Sequence, residues 1–281
     1  MIEIVEETIT IEYEKLENLK EYLLPLLKDG LLVAFSGGVD SAFLLWAAKQ
    51  TMDKEGGRVF ALTTTSASLP DQDKKDVEKF ISEFGIDHKW IESKEMENPA
   101  YLQNDNLRCY HCKTELFSIA KSLLKGNNLK SIAYGYNASD FSDDRPGHKA
   151  SIENGILAPL AEIGFSKDEI RTILRNEGIN ISEKQASPCL SSRISHGVPV
   201  TTGRLADISF MENILRDAGV SLFRVRLNET KGGLFIRIEI AVEEFEKVIN
   251  IKEKLNSEGR ARNYKWVTLD LGGYKMGGAD K

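Results

Sequence analysis

The stretch Leu31-Leu32-Val33-Ala34-Phe35-Ser36-Gly37-Gly38-Val39-Asp40-Ser41 constrains this chain more than any other. Its apolar start predicts a buried strand, Ser-Gly-Gly breaks that strand, and Asp40-Ser41 open a helix with apolar positions at Ala42, Leu44, Leu45 and Ala48. Glycines at the break let backbone approach a ligand and adopt conformations that side chains forbid. The free N–H groups of the helix start face that ligand, and the helix dipole favours negative charge there. The segment therefore reads as a pyrophosphate clamp. Gly37, Gly38 and Val39 offer backbone, while Ser36 and Ser41 add hydroxyl donors to phosphate oxygens. Asp40 repels an anion directly, so its expected job is to hold a magnesium ion (Mg2+) that bridges phosphates. No Gly-Lys-Ser/Thr follows the glycines, which excludes the usual P-loop. The bland alternative is an ordinary strand–turn–helix corner.

Further along, the apolar pattern predicts an amphipathic helix from Tyr13 to Leu27, a strand at Val59–Thr63 and a helix at Asp71–Phe84 stopped by Gly85. Strands follow at His88–Ile91 and Ser131–Tyr134, a short extended piece at Ile156–Leu160, and a helix at Lys167–Asn176 capped by Ser166. Strands alternating with helices imply an α/β fold with a parallel sheet covered on both faces. The clamp then lies at the carboxyl end of the first strand, where such sheets bind ligands. Thr63 and Thr64, with Thr65, end the second strand beside it and are candidates to line a nucleotide pocket. From Thr201 the pattern changes to a helix (Thr202–Asp217), two strands (Ser221–Leu227 and Leu234–Ile240) around a Gly232-Gly233 turn, a helix (Val242–Ser257) and a last strand (Lys265–Leu269). The expected division is a parallel-sheet nucleotide domain over 1–198 and a smaller carboxyl-terminal α/β module for substrate or oligomerisation over 199–281.

At 281 residues, with 41% hydrophobic and 28% charged residues, the composition is that of a globular chain with a sizeable core. A net charge of −6 argues against a protein that coats nucleic acid. No apolar run reaches the ~18 residues of a membrane helix, and the acidic start Met1–Glu7 does not read as a targeting peptide. A cytoplasmic location is expected.

The chain's three cysteines are Cys109 and Cys112, in a Cys-Tyr-His-Cys run, and Cys189, preceded by Pro188. An odd count in so long a chain is not a secreted disulfide framework. The spacing lets Cys109 and Cys112 meet one metal. Three thiolates on an iron–sulfur cubane leave one iron open for a substrate or sulfide. Zinc would need His111 or His196 as a fourth ligand. A redox disulfide or unremarkable buried cysteines are the other readings.

The clamp resembles the Ser-Gly-Gly-x-Asp-Ser PP-loop of the ATP pyrophosphatases, which cut ATP between its α and β phosphates, adenylylate an acceptor and release pyrophosphate. The stretch Tyr134-Gly135-Tyr136-Asn137-Ala138-Ser139-Asp140 through Asp144-Arg145-Pro146-Gly147 is similar to the Gly-x-Asn-x-x-Asp…Arg-Pro-Gly block of the LarE family. So are Ala158-Pro159-Leu160, Ser187-Pro188-Cys189-Leu190-Ser191-Ser192-Arg193-Ile194, and the tail Asp270–Gly278. The resemblance spans most of the chain. It implies a PP-loop domain of the adenine nucleotide alpha hydrolase-like fold, ATP and magnesium as cofactors, and a small-molecule nucleotide substrate. The implied activity adenylylates a carboxylate of pyridinium-3,5-biscarboxylic acid mononucleotide and replaces AMP with sulfur, in nickel-pincer nucleotide biosynthesis. In single-cysteine members the residue matching Cys189 gives up its own sulfur. The Cys109/Cys112 pair departs from that pattern and looks like the subgroup whose three cysteines carry a 4Fe-4S cluster.

Arg145, Arg193 and Asp140 are candidates to hold the substrate, since an arginine fork suits phosphate or carboxylate; Asp40, Cys189 and Arg193 are the catalytic candidates. Arg224, Arg226 and Arg237 lie on the hairpin strands, with a solvated face as their plainer reading. His88 and His148 have no assigned role. A homo-oligomer is expected, with a sulfur donor and a downstream nickel-insertion protein as partners. Competing functions are a PP-loop tRNA thiolase, which would need a basic groove, a sacrificial donor using Cys189 alone, an ammonia-using ligase, and a non-enzymatic nucleotide-binding or iron–sulfur module.

Overall fold

The computed structural model describes residues 2–139 and 146–275, with side chains from residue 11 onward. The chain forms two compact units: Met1–Thr65, Asp71–Ser93 and Cys109–Ser187 in the first, and Ser66–Pro70, Lys94–Arg108 and Pro188–Lys281 in the second.

The first unit is a parallel sheet of β1 (Leu31–Ala34), β2 (Val59–Thr65), β3 (His88–Glu92) and β4 (Ser131–Tyr134), in the order β3-β2-β1-β4. Strict alternation along the strands divides its side chains between two cores. Leu31, Val33, Val59 and Ala61 join Leu16, Leu19, Leu23 and Leu27 of the first helix and the apolar residues of the helix Val39–Glu55. Leu32, Ala34, Phe60 and Leu62 pack on the other face with Phe117, Ala120 and Tyr134. A sheet buried on both faces needs near-continuous apolar strands, which β1 and the start of β2 supply. The predicted parallel α/β fold is the observed one.

Local differences have identifiable causes. Arg108–Gly126 is a helix of 19 residues that the cysteine spacing concealed. Of the predicted extended piece Ile156–Leu160, only Leu157 bridges to Ala133, because Pro159 already starts a short helix. Ser166 caps Lys167–Asn176 as predicted, through a complete capping box with Glu169.

The second unit holds β5 (Phe223–Thr230), β6 (Gly233–Ile240) and β7 (Val267–Leu269), β5 antiparallel and β7 parallel to β6. The strands run further into the connection than predicted and leave a tight turn at Lys231-Gly232. The predicted helix Val242–Ser257 is broken into a 3-10 turn and two short helices, Phe245–Asn250 and Lys252–Ala261. This unit takes in more than residues 199–281. The buried Asn104 amide donates to the carbonyls of Ile194, Ser195 and Val198, and Leu190 N–H donates to Ser68, so early segments are stitched to the later ones. No helix among the described residues is long and apolar enough to cross a membrane.

At the end of β2 the Thr63 hydroxyl donates to the Phe35 carbonyl at 2.7 Å, and His88 Nε2 lies 2.9 Å from the same hydroxyl oxygen. Burial pushes the His88 pKa below its ordinary 6.5. The unfolded chain therefore binds more protons than the fold between the depressed pKa and 6.5, and stability falls as pH drops through that window. His88→Gln should lose less of its urea midpoint than the native chain on going from about pH 7.5 to about pH 5.5. Equal losses in the two proteins would contradict the assignment.

Candidate active site

β1 is the topological switch point of its sheet, since the chain passes to β2 and β3 on one side and to β4 on the other. Open parallel sheets present their ligand crevice at such a point. The PP-loop, residues 36–41, leaves β1 there. Gly37 takes the left-handed conformation at φ +73°, which only glycine adopts without strain. Gly38 is the N-cap of the helix Val39–Glu55 and makes no side-chain cap. The helix start is thus left to a ligand and not to its own side chain. The two loop hydroxyls sit 3.1 Å apart, Ser41 Oγ donates to the Gly38 carbonyl, and Ser36 Oγ accepts from Gly38 N–H at 3.3 Å. Asp40 lies in the first turn with its carboxylate partly exposed, 3.9 Å from Lys167 Nζ. From the far side, the chain leaving β4 crosses so closely that a Cβ on Gly135 would sit 2.4 Å from Ser41 N.

Thr63 is buried, with its hydroxyl committed to Phe35 and His88, so it ties β2 to the start of the loop. Thr64 is half-buried. Asp140 and Arg145 lie outside the described residues. Cys109 and Cys112 stand three positions apart in the first turn of the helix Arg108–Gly126, hence on one face, Cys109 exposed and Cys112 half-buried. Gly147 packs against this turn, within 3.9 Å of the Cys109 Cβ when given a Cβ of its own.

In the second unit, Cys189 caps the 3-10 turn Leu190–Arg193. Arg193 is 2% exposed. Its Nε donates to Glu212 at 3.0 Å, and one terminal nitrogen donates to the carbonyls of Pro188 and Cys189. Part of the fork anticipated for substrate, Nε and one terminal nitrogen, holds Glu212 and the Cys189 turn. Arg226 pairs with Glu239 at 3.1 Å and donates to the Ser192 carbonyl. Arg224 donates to the Phe223 carbonyl and lies over the Tyr274 ring; burial, with Arg193 adding to it, lowers its pKa. Arg237 pairs with Glu239 and Asp270. Arg224 and Arg226 are buried, so the solvated-face reading does not describe them.

A family model described as NAD synthase matches residues 12–137, which contain the PP-loop, β1, β2, β3 and β4. An uncharacterised protein of Synechocystis sp. is 35% identical over 265 residues, covering 94% of this chain and 96% of that one. The pyridinium-3,5-bisthiocarboxylic acid mononucleotide synthase of Lactiplantibacillus plantarum is 27% identical over 266 residues, 92% of each chain. The chain belongs to the LarE family of PP-loop proteins. An uncharacterised protein of Methanocaldococcus jannaschii is also similar, at 28% identity over 270 residues, 93% of this chain and 98% of that one.

Membership in the LarE family makes this an ATP-using enzyme of the PP-loop type. The Asp40 carboxylate in the loop fits magnesium, which keeps most of its waters and takes one or two protein carboxylates beside the phosphates. The three-thiol cluster finds no equivalent support. Among the described residues no group of three His, Cys, Asp or Glu side chains is gathered to hold a metal.

In each unit a buried polar cluster escaped the sequence reading. Lys184 Nζ contacts the Gly37 carbonyl, Asp73 and Asp76. Glu95 is buried and accepts from Ser66 and Ser68, each at 2.5 Å, and from Tyr101, whose hydroxyl also meets Ser191 at 2.6 Å. No local pattern marks these residues, because all of the contacts except Tyr101 to Glu95 join distant parts of the chain.

Proposed function

We propose that this enzyme adenylylates a carboxylate of pyridinium-3,5-biscarboxylic acid mononucleotide and exchanges the AMP for sulfur, giving the thiocarboxylate of nickel-pincer nucleotide biosynthesis. The observation that carries the reading is the PP-loop at the switch point, with its uncapped helix start and Asp40 at the rim. A carboxylate resists nucleophiles, and an acyl-adenylate gives it a leaving group. The N–H groups at the helix start and the Ser36 and Ser41 hydroxyls stabilise the charge that builds as pyrophosphate departs. Asp40 would hold the magnesium, which supplies further positive charge to the phosphates.

The substrate is an anion, and Arg145, Arg193 and Asp140 are the residues proposed to meet it. Sulfur is proposed to arrive through a 4Fe-4S cluster on Cys109, Cys112 and Cys189, whose open iron would hold the transferred sulfide; the alternative is a sacrificial Cys189 that gives up its own sulfur. Iron and acid-labile sulfide analysis of anaerobically purified protein separates the two. If Cys109→Ala and Cys112→Ala keep full activity, at one sulfur transferred per chain, while Cys189→Ala loses it, the enzyme is the sacrificial type.

Asp40→Ala should lower magnesium-dependent pyrophosphate release by about 100-fold or more while leaving the fold intact. Release of ADP and inorganic phosphate by the native enzyme would overturn the adenylylation reading. Thiolation of bulk tRNA, with the mononucleotide untouched, would overturn the substrate.

A further inference from the structure

The helix Asp71–Phe84 faces the PP-loop with two carboxylates, Asp73 and Asp76, and a lysine from a distant loop lies between them and the loop. Lys184 Nζ is 2.7 Å from Asp73 Oδ1, 2.6 Å from Asp76 Oδ2 and 2.9 Å from the Gly37 carbonyl oxygen. An ammonium has three N–H donors and no acceptor. One donates to the Gly37 carbonyl, the charge pairs with both carboxylates, and the side chain is only 15% exposed. Asp73 is itself fixed, accepting from the Ser187 hydroxyl at 2.9 Å.

The acceptor in the loop is the informative one. A peptide unit is planar and trans, so its C=O and N–H point to opposite sides. Drawing the Gly37 carbonyl toward Lys184 turns the Gly38 N–H the other way, onto the side of Ser36 Oγ. A peptide between two glycines has no Cβ on either side to resist rotation by half a turn. After such a turn the loop would present a carbonyl dipole, negative end first, to the phosphates. We infer that Lys184 is a positioning residue for ATP: with Asp73 and Asp76 it locks the Gly37–Gly38 peptide so that N–H faces the pyrophosphate moiety. Its ammonium acts through the peptide and touches no phosphate. This rests on reading the PP-loop as the pyrophosphate site.

The test measures calorimetric binding of magnesium pyrophosphate, and the KM for ATP, in the full chain and in three variants. Lys184→Met loses a charge-assisted hydrogen bond to the loop and should weaken both by roughly tenfold or more. It should also lower Tm, because two neighbouring carboxylates lose their counter-ion. Adding Asp73→Asn to Lys184→Met removes that repulsion and should restore most of the Tm while the binding defect remains. Lys184→Arg, which keeps charge and donors, should recover part of the affinity. Native pyrophosphate affinity in the double variant would overturn the inference, since Lys184 would then act through stability alone. So would an unchanged KM in Lys184→Met. A native enzyme that binds pyrophosphate but never releases it from ATP would sink the adenylylation reading and leave the Lys184 comparison intact; one that binds none would sink both.

Discussion

Gly135→Ala is expected to abolish ATP-dependent pyrophosphate release and to destabilise the protein by about 2–3 kcal/mol, the upper end of ordinary overpacking. A Cβ there would lie 2.4 Å from Ser41 N, 2.6 Å from Ser41 Cα and 2.7 Å from the Asp40 carbonyl carbon. All are backbone atoms, so no side chain can rotate away. Neither partner yields easily. β4 is held to β1 through the pairs Leu31↔Ser131 to Ala34↔Tyr134, and Ser41 belongs to the first turn of a helix whose face is buried under the sheet. The relief would come from pushing the first helical turn outward, which displaces the N–H groups that meet the phosphates. Gly126 provides the control. A Cβ there meets nothing within 4 Å, and Gly126→Ala should be neutral or stabilising by less than ~1 kcal/mol. Pyrophosphate release and urea unfolding measure both variants. A native rate in Gly135→Ala would mean that the chain leaving β4 does not set the loop.

The PP-loop, its strand and its helix were legible because the signal is local. A fully apolar strand, a glycine break and a periodic helix follow one another within a few residues, and the order of the parallel strands then places the loop. Gly135 could be quoted from the resemblance, but its reason, the close crossing over Ser41, depends on β4 pairing with β1. The helix Arg108–Gly126 stayed hidden because its first turn carries Cys-Tyr-His-Cys, a spacing that reads as ligands on a loop. The same spacing puts both thiols on one helical face. Lys184, Asp73 and Glu95 were illegible for a different reason. A lysine among polar residues looks like solvent-facing charge until a distant helix supplies its carboxylates. Arg193 was noticed for the right chemistry, a planar fork of donors, but the fork's partners could not be foreseen. They are Glu212, nineteen positions on, and two carbonyls of its own turn.

Those partners make Glu212 the position in the second unit with the largest expected effect. Its carboxylate is 4% exposed and accepts from Arg193 Nε at 3.0 Å and from Val225 N–H at 3.4 Å. Glu212→Ala would leave Arg193 buried beside Arg224, whose pKa burial and Arg193 already lower. Removing one partner of a buried pair costs about 3–5 kcal/mol, chiefly because the other charge stays uncompensated. The loss should also reach the Cys189 turn. The Cys189 carbonyl accepts from Arg193 at 3.1 Å, from Ser192 N–H at 2.9 Å and from the Ser192 hydroxyl at 2.7 Å, so an Arg193 that swings away releases the longest of three ties. Two variants separate stability from positioning. Glu212→Ala should unfold at markedly lower urea concentration than the native chain. Arg193→Met with Glu212→Leu removes both charges at similar volume and should recover most of that loss, yet leave the turn without its arginine strut. In a Cys109→Ser, Cys112→Ser background, alkylation of Cys189 should then be faster than in the native turn although the fold is stable. Native alkylation rates in the charge-free variant would show that Arg193 serves stability alone, and would return the hold on the Cys189 turn to Ser192 and the Leu190–Ser68 hydrogen bond.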